Sequence, residues 1–481
     1  MRRKRRRHRR YQGYHVKECV DYAQQFHNNL IHKKGEDDVR KVLETNEAGE
    51  STTFNHVTIH SSLKRVMWGG LKPKVLGTPL LKVTEATKAY TCVQFQYRVQ
   101  CQGDNNKEEI YVVKEFLKVA YGKERMYLLE YDRKMEEEFQ TSNVVLSEKG
   151  IILGVADGNT PFKANPEGTI VAFVQANELW SYNKKDNKFA LVFSFAASEK
   201  EDIRHHTDNH TLRILSMEDN GNMTFSVSGY MNRGMHEGES GISIYYYNME
   251  QNVIEEEAFI PTKESLAVIE KDISRLAYYN KEQDVLYVMA EGELLKIGGK
   301  EEERQVLMEG LLEGQYVTSD DGHLFAYQKE ENKKNVTEVW NFTTDKISKI
   351  KAEEGEKIIP LGFVGDDFVY GLFREGDEGF DTAGTKVYAM HRLEIRNAKH
   401  KVVKTYEKPN AYILGATNDG NMVTLRQGTK QGNRYTEIAE DYITNHEADG
   451  NKEISLQSYW TDLKESQYRL TFAEGIKVKR T

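Results

Sequence analysis

One pattern dominates this chain: a polar turn holding Gly or Asp, an apolar strand, a short gap, then a strand with an aromatic near its centre. It is clearest at Asn165-Pro166-Glu167-Gly168, followed by TIVAFV (169–174), Asn177-Glu178, LWSYN (179–183) and FALVFSF (189–195). It returns at Asp219-Asn220-Gly221 with MTFSVSGYM (223–231) and ISIYYYN (242–248), and at 281–284 with VLYVM (285–289) and ELLKI (293–297). Asp320-Asp321-Gly322 precedes HLFAYQ (323–328) and EVWNF (338–342). Gly365-Asp366-Asp367 precedes FVYGLF (368–373) and KVYAMHRLEI (386–395), and Asn418-Asp419-Gly420 precedes MVTLRQ (422–427) and YTEIAEDYI (435–443). With Gly168, Gly221, Gln283, Gly322, Asp366 and Gly420 as markers, the steps are 53, 62, 39, 44 and 54 residues. A period near 50 is that of four-stranded blades set radially. Each blade needs two neighbours to bury its faces, so apolar strands persist with no long helix between them. The hairpin turning at Gly103-Asp104, with YVVKEFLKVAY (111–121) and MYLLEYD (126–132) as its later strands, brings the expected blade count to seven.

The competing reading is a stack of ordinary antiparallel hairpins forming a sandwich or two domains. NPEGTIVAFVQANELWSYN (165–183) resembles the TolB-type β-propeller repeat, and SDDGHLFAYQ (319–328) and TNDGNMV (417–423) resemble it more loosely. The Trp-Asp dipeptide of WD repeats is absent. The resemblance implies an architecture and says nothing about an activity. The expected fold is therefore all-β, a propeller of about seven four-stranded blades behind a short α-helical N-terminal region. The expected division is a basic arm (1–13), a helical and irregular region (14–89) and a propeller (90–481).

Residues 14–34 predict a helix, because Val16, Cys19, Val20, Ala23, Phe26, Leu30 and Ile31 recur at three- and four-residue steps and Gly35 offers a C-terminal stop. A second, shorter helix is predicted from Asp37 to about Glu44. Packing against the body is the expected fate of the apolar stripe. TCVQFQYRVQ (91–100) alternates with period two, so Cys92 and Cys101 fall on opposite faces of one strand and cannot bond to each other. With Cys19 on the helix stripe, three free thiols are expected, which rules out a disulfide scaffold. Hydrophobic residues make up only 38% of the chain, but 27 Tyr, 19 Phe and 4 Trp are enough to fill a core.

Charge is concentrated at one end. Arg2, Arg3, Lys4, Arg5, Arg6, Arg7, Arg9 and Arg10 put eight fixed positive charges before residue 11, so a net charge of −8 becomes −16 for the rest. Such a block repels itself and reads as a solvated arm. It suits an anionic membrane surface better than nucleic acid, because the acidic body repels phosphate and no aromatic interrupts the run to stack on bases. It also resembles the flank of a membrane anchor, yet no apolar run approaches 18 residues. The chain as written carries no export signal and reads as cytoplasmic, peripheral to the membrane if the arm binds there. It would be extracytoplasmic if an anchor had been lost from the N-terminus.

Candidate chemistry is sparse. His205, His206 and His210 are dense enough to hold a metal, but match no closed ligand pattern. Loop 229–241 is the most unusual segment, offering Asn232, Arg233, His236 and Glu237 between glycines. Arg233 can clamp a carboxylate or phosphate, and a His–Glu pair can move protons. Loop 374–384 clusters Glu375, Asp377, Glu378 and Asp381 without the order of a calcium loop. No G-x-S-x-G elbow, phosphate-binding glycine loop or H-E-x-x-H occurs. The sequence implies no cofactor and no catalytic residue. The expected role is a non-catalytic platform for a protein or peptide. The alternative is an enzyme or small-ligand binder with its site in the central channel or at loop 229–241.

Overall fold

The computed structural model describes residues 14–477 apart from 47–52, 104–107, 142–144, 155–157, 196–208, 299–303, 313, 332–333, 420–421 and 445–452. The arm at 2–10 and the pair His205 and His206 lie outside the described residues.

The N-terminal helix forms as its stripe predicts. α1 (Val16–Ile31) buries Cys19, Ala23, Phe26, Leu30 and Ile31. It stops earlier than the sequence suggests: His32 N closes the last turn on Asn28 O, and Lys33 takes a left-handed conformation. Gly35, expected to end α1, is instead the left-handed residue that starts α2 (Glu36–Val42).

α1 and α2, with α3 (Leu63–Val66), cover one antiparallel sheet. Its strands are β1 (His56–Thr58), β2 (Lys74–Ala86), β3 (Thr91–Gln102), β4 (Glu108–Tyr121) and β5 (Met126–Glu137), in the order β1-β5-β4-β3-β2. Odd-numbered positions of β3 and β4 face the helices, so Phe95, Tyr97, Val99, Val113 and Leu117 share a core with Phe26, Leu30 and Trp68. Thr91–Glu137, expected to supply a blade, thus builds a helix-backed sheet. The alternation that suggested a blade is equally that of any sheet with one covered face. The thiols of Cys19, Cys92 and Cys101 are free and buried, with Cys92 and Cys101 on the single strand predicted.

The propeller has seven blades all the same, because its last sheet is made from both ends of the propeller segment. Leu146–Ser147 and Gly150–Ile152 pair with Glu465–Phe472 and Ile454–Thr461 in one four-stranded sheet. Leu470 opposite Ile151 joins the two ends in that sheet, which packs against blade 1. Blades 1 to 4 span 162–193, 210–261, 277–308 and 316–351, each an antiparallel four-stranded meander. Blade 5 joins 356–374 to 392–407, and blade 6 spans 412–444. The predicted strand 386–395 is broken: Lys386–Tyr388 pairs with Glu378–Phe380 in a hairpin, while Arg392–Arg396 belongs to blade 5. That hairpin joins the outer edge of blade 6 through Phe380 opposite Arg434.

The repeated turn earns its sequence by holding blades together. Asn165 Oδ1 accepts Thr169 N and Ile170 N, each at 2.9 Å, while its Nδ2 donates to Asp219 O of blade 2 at 2.9 Å. Asn280 does the same between blades 3 and 4, accepting Gln283 N and donating to Phe342 O at 3.2 Å. Asn418 Nδ2 reaches Phe363 O of blade 5 at 3.3 Å. A side-chain amide suits this place because it carries an acceptor for its own turn and a donor for the neighbour.

The N-terminal sheet sits on the turn of the closing blade. Arg65 Nε donates to Glu465 at 2.7 Å, and Lys464 Nζ, nearly buried, lies 2.9 Å from Glu109 and 3.8 Å from Glu137. Leu463 packs into the helix-backed core between these charges.

Candidate binding face

Strands in a blade alternate in direction, so the loop after the second strand and the link to the next blade emerge at the same end of the ring. In blades 1 and 3 that loop is minimal: Ala176-Asn177 and Glu291-Gly292 turn the chain with positive φ. In blades 2 and 5 it is enlarged to 231–239 and 375–391. The link between blades 2 and 3 carries helix α4 (Leu266–Arg275), which the sequence analysis missed. Leu266, Ile269 and Ile273 stand at helical spacing, and Ile269 and Ile273 fill the core between those blades. Asp272 accepts Glu291 N at 2.9 Å, which fixes α4 at the loop end of blade 3.

Loop 231–239 is held on both flanks. Gly238 N donates to Met231 O and Met231 N to Glu239 O, which extends the hairpin by one rung. Arg233 Nε donates to Phe195 O at 2.7 Å. The His236 ring stacks on Phe259 at 3.7 Å, and its Nε2 lies 2.7 Å from Glu256. The partner of His236 is thus Glu256 of the outer strand, while Glu237 is exposed and Asn232 is buried. These contacts aim Met235 into solvent at 88% exposure.

In the second insertion, Asp377 takes Lys430 Nζ at 2.7 Å, Glu378 pairs with Lys386 at 2.9 Å, and Asp381 accepts Thr385 N at 2.8 Å. The four acids of this loop are therefore spread among separate partners, and Glu375 reaches toward Lys357. The hydrogen bond to Asp377 raises the Lys430 pKa. Gly379 is required where it stands, since a Cβ there would lie 2.4 Å from Asn433 O. Residues alternate along the hairpin, so Val387 turns inward while Phe380 and Tyr388, at 44% and 42% exposure, turn outward. The sequence signal for this pair was an aromatic on each side of a short turn holding Asp381 and Gly384.

His210, the described member of the histidine group, is buried at the start of blade 2, edge-on to Phe195 at 4.7 Å. Among the described residues no three metal-binding side chains converge. No described helix is long and apolar enough to cross a membrane.

A second polar centre, also missed, lies inside the N-terminal sheet. Glu115 is 1% exposed, with His27 Nδ1 at 2.6 Å. It accepts Tyr131 OH at 2.9 Å and Tyr97 OH at 3.3 Å. Burial, the largest influence, works to raise the Glu115 pKa, but His27, Arg133 and the Tyr131 hydrogen bond together hold it below the usual carboxylate range. Arg133, wholly buried, lies 3.9 Å over the Trp68 ring and donates to Val66 O and Arg65 O. The cluster binds α1 and α3 to the sheet.

These sheets define the class: a seven-bladed β-propeller with a helix-backed N-terminal sheet. No protein-family model and no curated protein sequence matches the chain. Solved structures share the architecture at low similarity. The Pyrococcus horikoshii acylaminoacyl peptidase is 12% identical with a TM-score of 0.32, over 78% of this chain and 55% of that one, so the chain spans about half the peptidase. The β-propeller domain of the Trilobed protease from Pyrococcus furiosus, described as an open velcro topology, is 13% identical with a TM-score of 0.29, over 79% of this chain and 98% of that one. TolB from Acinetobacter baumannii is 10% identical with a TM-score of 0.24, over 66% and 77%. At these scores the likenesses carry no argument about activity, and the propeller assignment rests on the sheets themselves.

Proposed function

We propose that this chain is a binding propeller that holds a protein or peptide on the end of the ring from which its insertions emerge. The observation that supports this is Met235, Phe380 and Tyr388 standing exposed on two loops braced by their own bonds to the body. Braced apolar side chains in water, with Glu378 and Lys386 beside them, have the make-up of a contact patch: an apolar anchor with a polar rim. Loops enlarged on one end of a rigid ring are where recognition residues gather. The organisation we infer is a helix-backed module over 14–139 and a propeller over 146–476. The arm at 2–10 recruits the whole to anionic lipid. Arg233, His236 and Asn232 serve this reading by shaping loop 231–239.

Selection of a random peptide library on the purified protein tests it. The reading expects binders whose affinity falls about tenfold or more in the double variant Met235→Asp, Phe380→Asp. Binders indifferent to both changes, or no binders, would overturn it. Sedimentation with anionic vesicles, with and without residues 2–10, tests the arm separately.

A further inference from the structure

Blade 6 is one strand short. Blades 1 to 5 and the closing blade are each complete four-stranded sheets, but blade 6 has three strands of its own, Tyr412–Asp419, Met422–Gln431 and Arg434–Thr444. The fourth position, outside Arg434–Thr444, is filled only at its start. There the hairpin from blade 5 pairs through Phe380 opposite Arg434, and Phe380 N donates to Asn433 O at 3.0 Å. From Thr436 to Thr444 no strand among the described residues lies on that edge, and Thr436 to Glu440 and Tyr442 are all exposed.

The backbone of this edge points outward. Arg434 pairs inward with Gln431 across the two-residue turn, so by alternation Tyr435 and Glu437 direct their N–H and C=O groups away from the blade. Farther along, Tyr442 N donates to the Asp441 side chain at 3.0 Å rather than to the neighbouring strand, so it faces out as well. A row of such groups is a template for an extended chain. Its side chains narrow the choice of chain. Residues 436–444 carry Glu437, Glu440 and Asp441 and no Lys or Arg. Arg426 meets Glu437 at 3.5 Å and Lys408 meets Asp441 at 3.2 Å, while Glu440 touches, among the described residues, only the Tyr442 hydroxyl at 3.3 Å. An antiparallel pair of two copies would crowd the acids of both onto one ribbon, and like charges on facing strands repel. A different chain fits better: a lysine or arginine to meet Glu440, and apolar side chains to cover Ile438 and Tyr442.

We propose that the open edge of blade 6 is a strand-addition site, which takes a basic, partly apolar extended peptide segment of a partner protein as its fourth strand. The site is separate from the face proposed above, and Met235→Asp leaves it intact. The outer strand of blade 5 supplies a probe of the right kind. Residues 400–408 carry three lysines against one glutamate, with Val402, Val403 and Tyr406 between them, and 402–407 already serve as a fourth strand. Fluorescence anisotropy of this labelled synthetic nonapeptide with the full chain tests the site. A second probe has alternate backbone nitrogens methylated, which removes its donors and leaves its charge. Glu437→Pro removes an outward N–H without breaking the inner ladder, and its fold is checked by melting temperature. Glu440→Lys reverses the open charge.

The proposal expects the wild type to bind the plain probe, with affinity falling about tenfold or more on methylation or in Glu437→Pro and about threefold in Glu440→Lys. No binding up to about 1 mM probe, or binding that survives both methylation and Glu437→Pro, overturns it. Dimerisation of the wild type that Glu437→Pro abolishes would assign the edge to a second copy. Tighter probe binding after deletion of residues 2–10 would assign it to the arm. Either result also overturns the proposal.

Discussion

Replacing Glu115 by alanine removes one carboxylate from a site closed off from solvent, where Glu115 is 1% exposed. Three groups lose an acceptor: His27 Nδ1 at 2.6 Å, Tyr131 OH at 2.9 Å and Tyr97 OH at 3.3 Å. Arg133, with no exposed surface, loses the nearby negative charge. Each stranded buried group costs about 1–3 kcal/mol, and breaking a buried charge pair from one side costs about 3–5 kcal/mol. The terms overlap, so the expected loss is about 3–5 kcal/mol rather than their sum. That corresponds to roughly 10²–10⁴-fold in the folding equilibrium of the N-terminal module. Urea denaturation of wild type and variant, with hydrogen exchange read along α1, measures both the size and the place of the effect. The pH dependence has a definite sign. A carboxyl held below its unfolded value stabilises the fold above that value, about pH 4.3, and loses the contribution as pH falls through the lower folded value. Glu115→Gln should therefore flatten the acid limb of stability. A loss under about 1 kcal/mol in Glu115→Ala, or a loss spread evenly over the propeller, would refute the reasoning.

Other expectations follow from the same contacts. Asn165→Ala strips an acceptor from Thr169 N and Ile170 N and a donor from Asp219 O, and should cost about 2–3 kcal/mol by urea titration; a cost near zero would mean the blade clamp is ornamental. The hydrogen bond that His323 donates to Asp321 raises the His323 pKa. Its stabilising contribution is therefore complete below about pH 6.5 and is lost as pH rises through the higher folded value. Melting curves taken across that range should show the slope in wild type and its absence in His323→Gln. Burial pushes the Cys101 thiol up to about 12, and all three cysteines are buried. A thiol reagent at neutral pH should therefore label the native protein slowly and the urea-unfolded protein at three sites.

What the sequence made legible, and what it hid, follows from how far apart the paired residues lie. α1 was readable because its stripe is local. Blades 1 to 4 and 6 were readable because turn and strands fall within one repeat. The closing blade was not: its N-terminal strands are Leu146–Ser147 and Gly150–Ile152, too short to show alternation, and their partners lie more than 300 residues away. A count of seven was reached through the wrong sheet, since VQFQYRV alternates alike in a blade and under a helix. α4 was passed over inside a strand-rich stretch although Leu266, Ile269 and Ile273 carry the helical period. At the candidate sites, loop 229–241 stood out by its glycines, but the real partners of Arg233 and His236, Phe195 and Glu256, come from other strands. Glu115 looked like one of many charges in an alternating strand. Only its odd-numbered place among Val113 and Leu117 turns it inward.

The account rests on one end of the ring being the contact surface. Hydrogen–deuterium exchange of the protein, alone and saturated with a peptide from the selection, tests that most directly. Protection concentrated in 231–239 and 378–388 is the predicted result. Protection confined to the opposite end of the ring or to the outer face of the N-terminal sheet would contradict it.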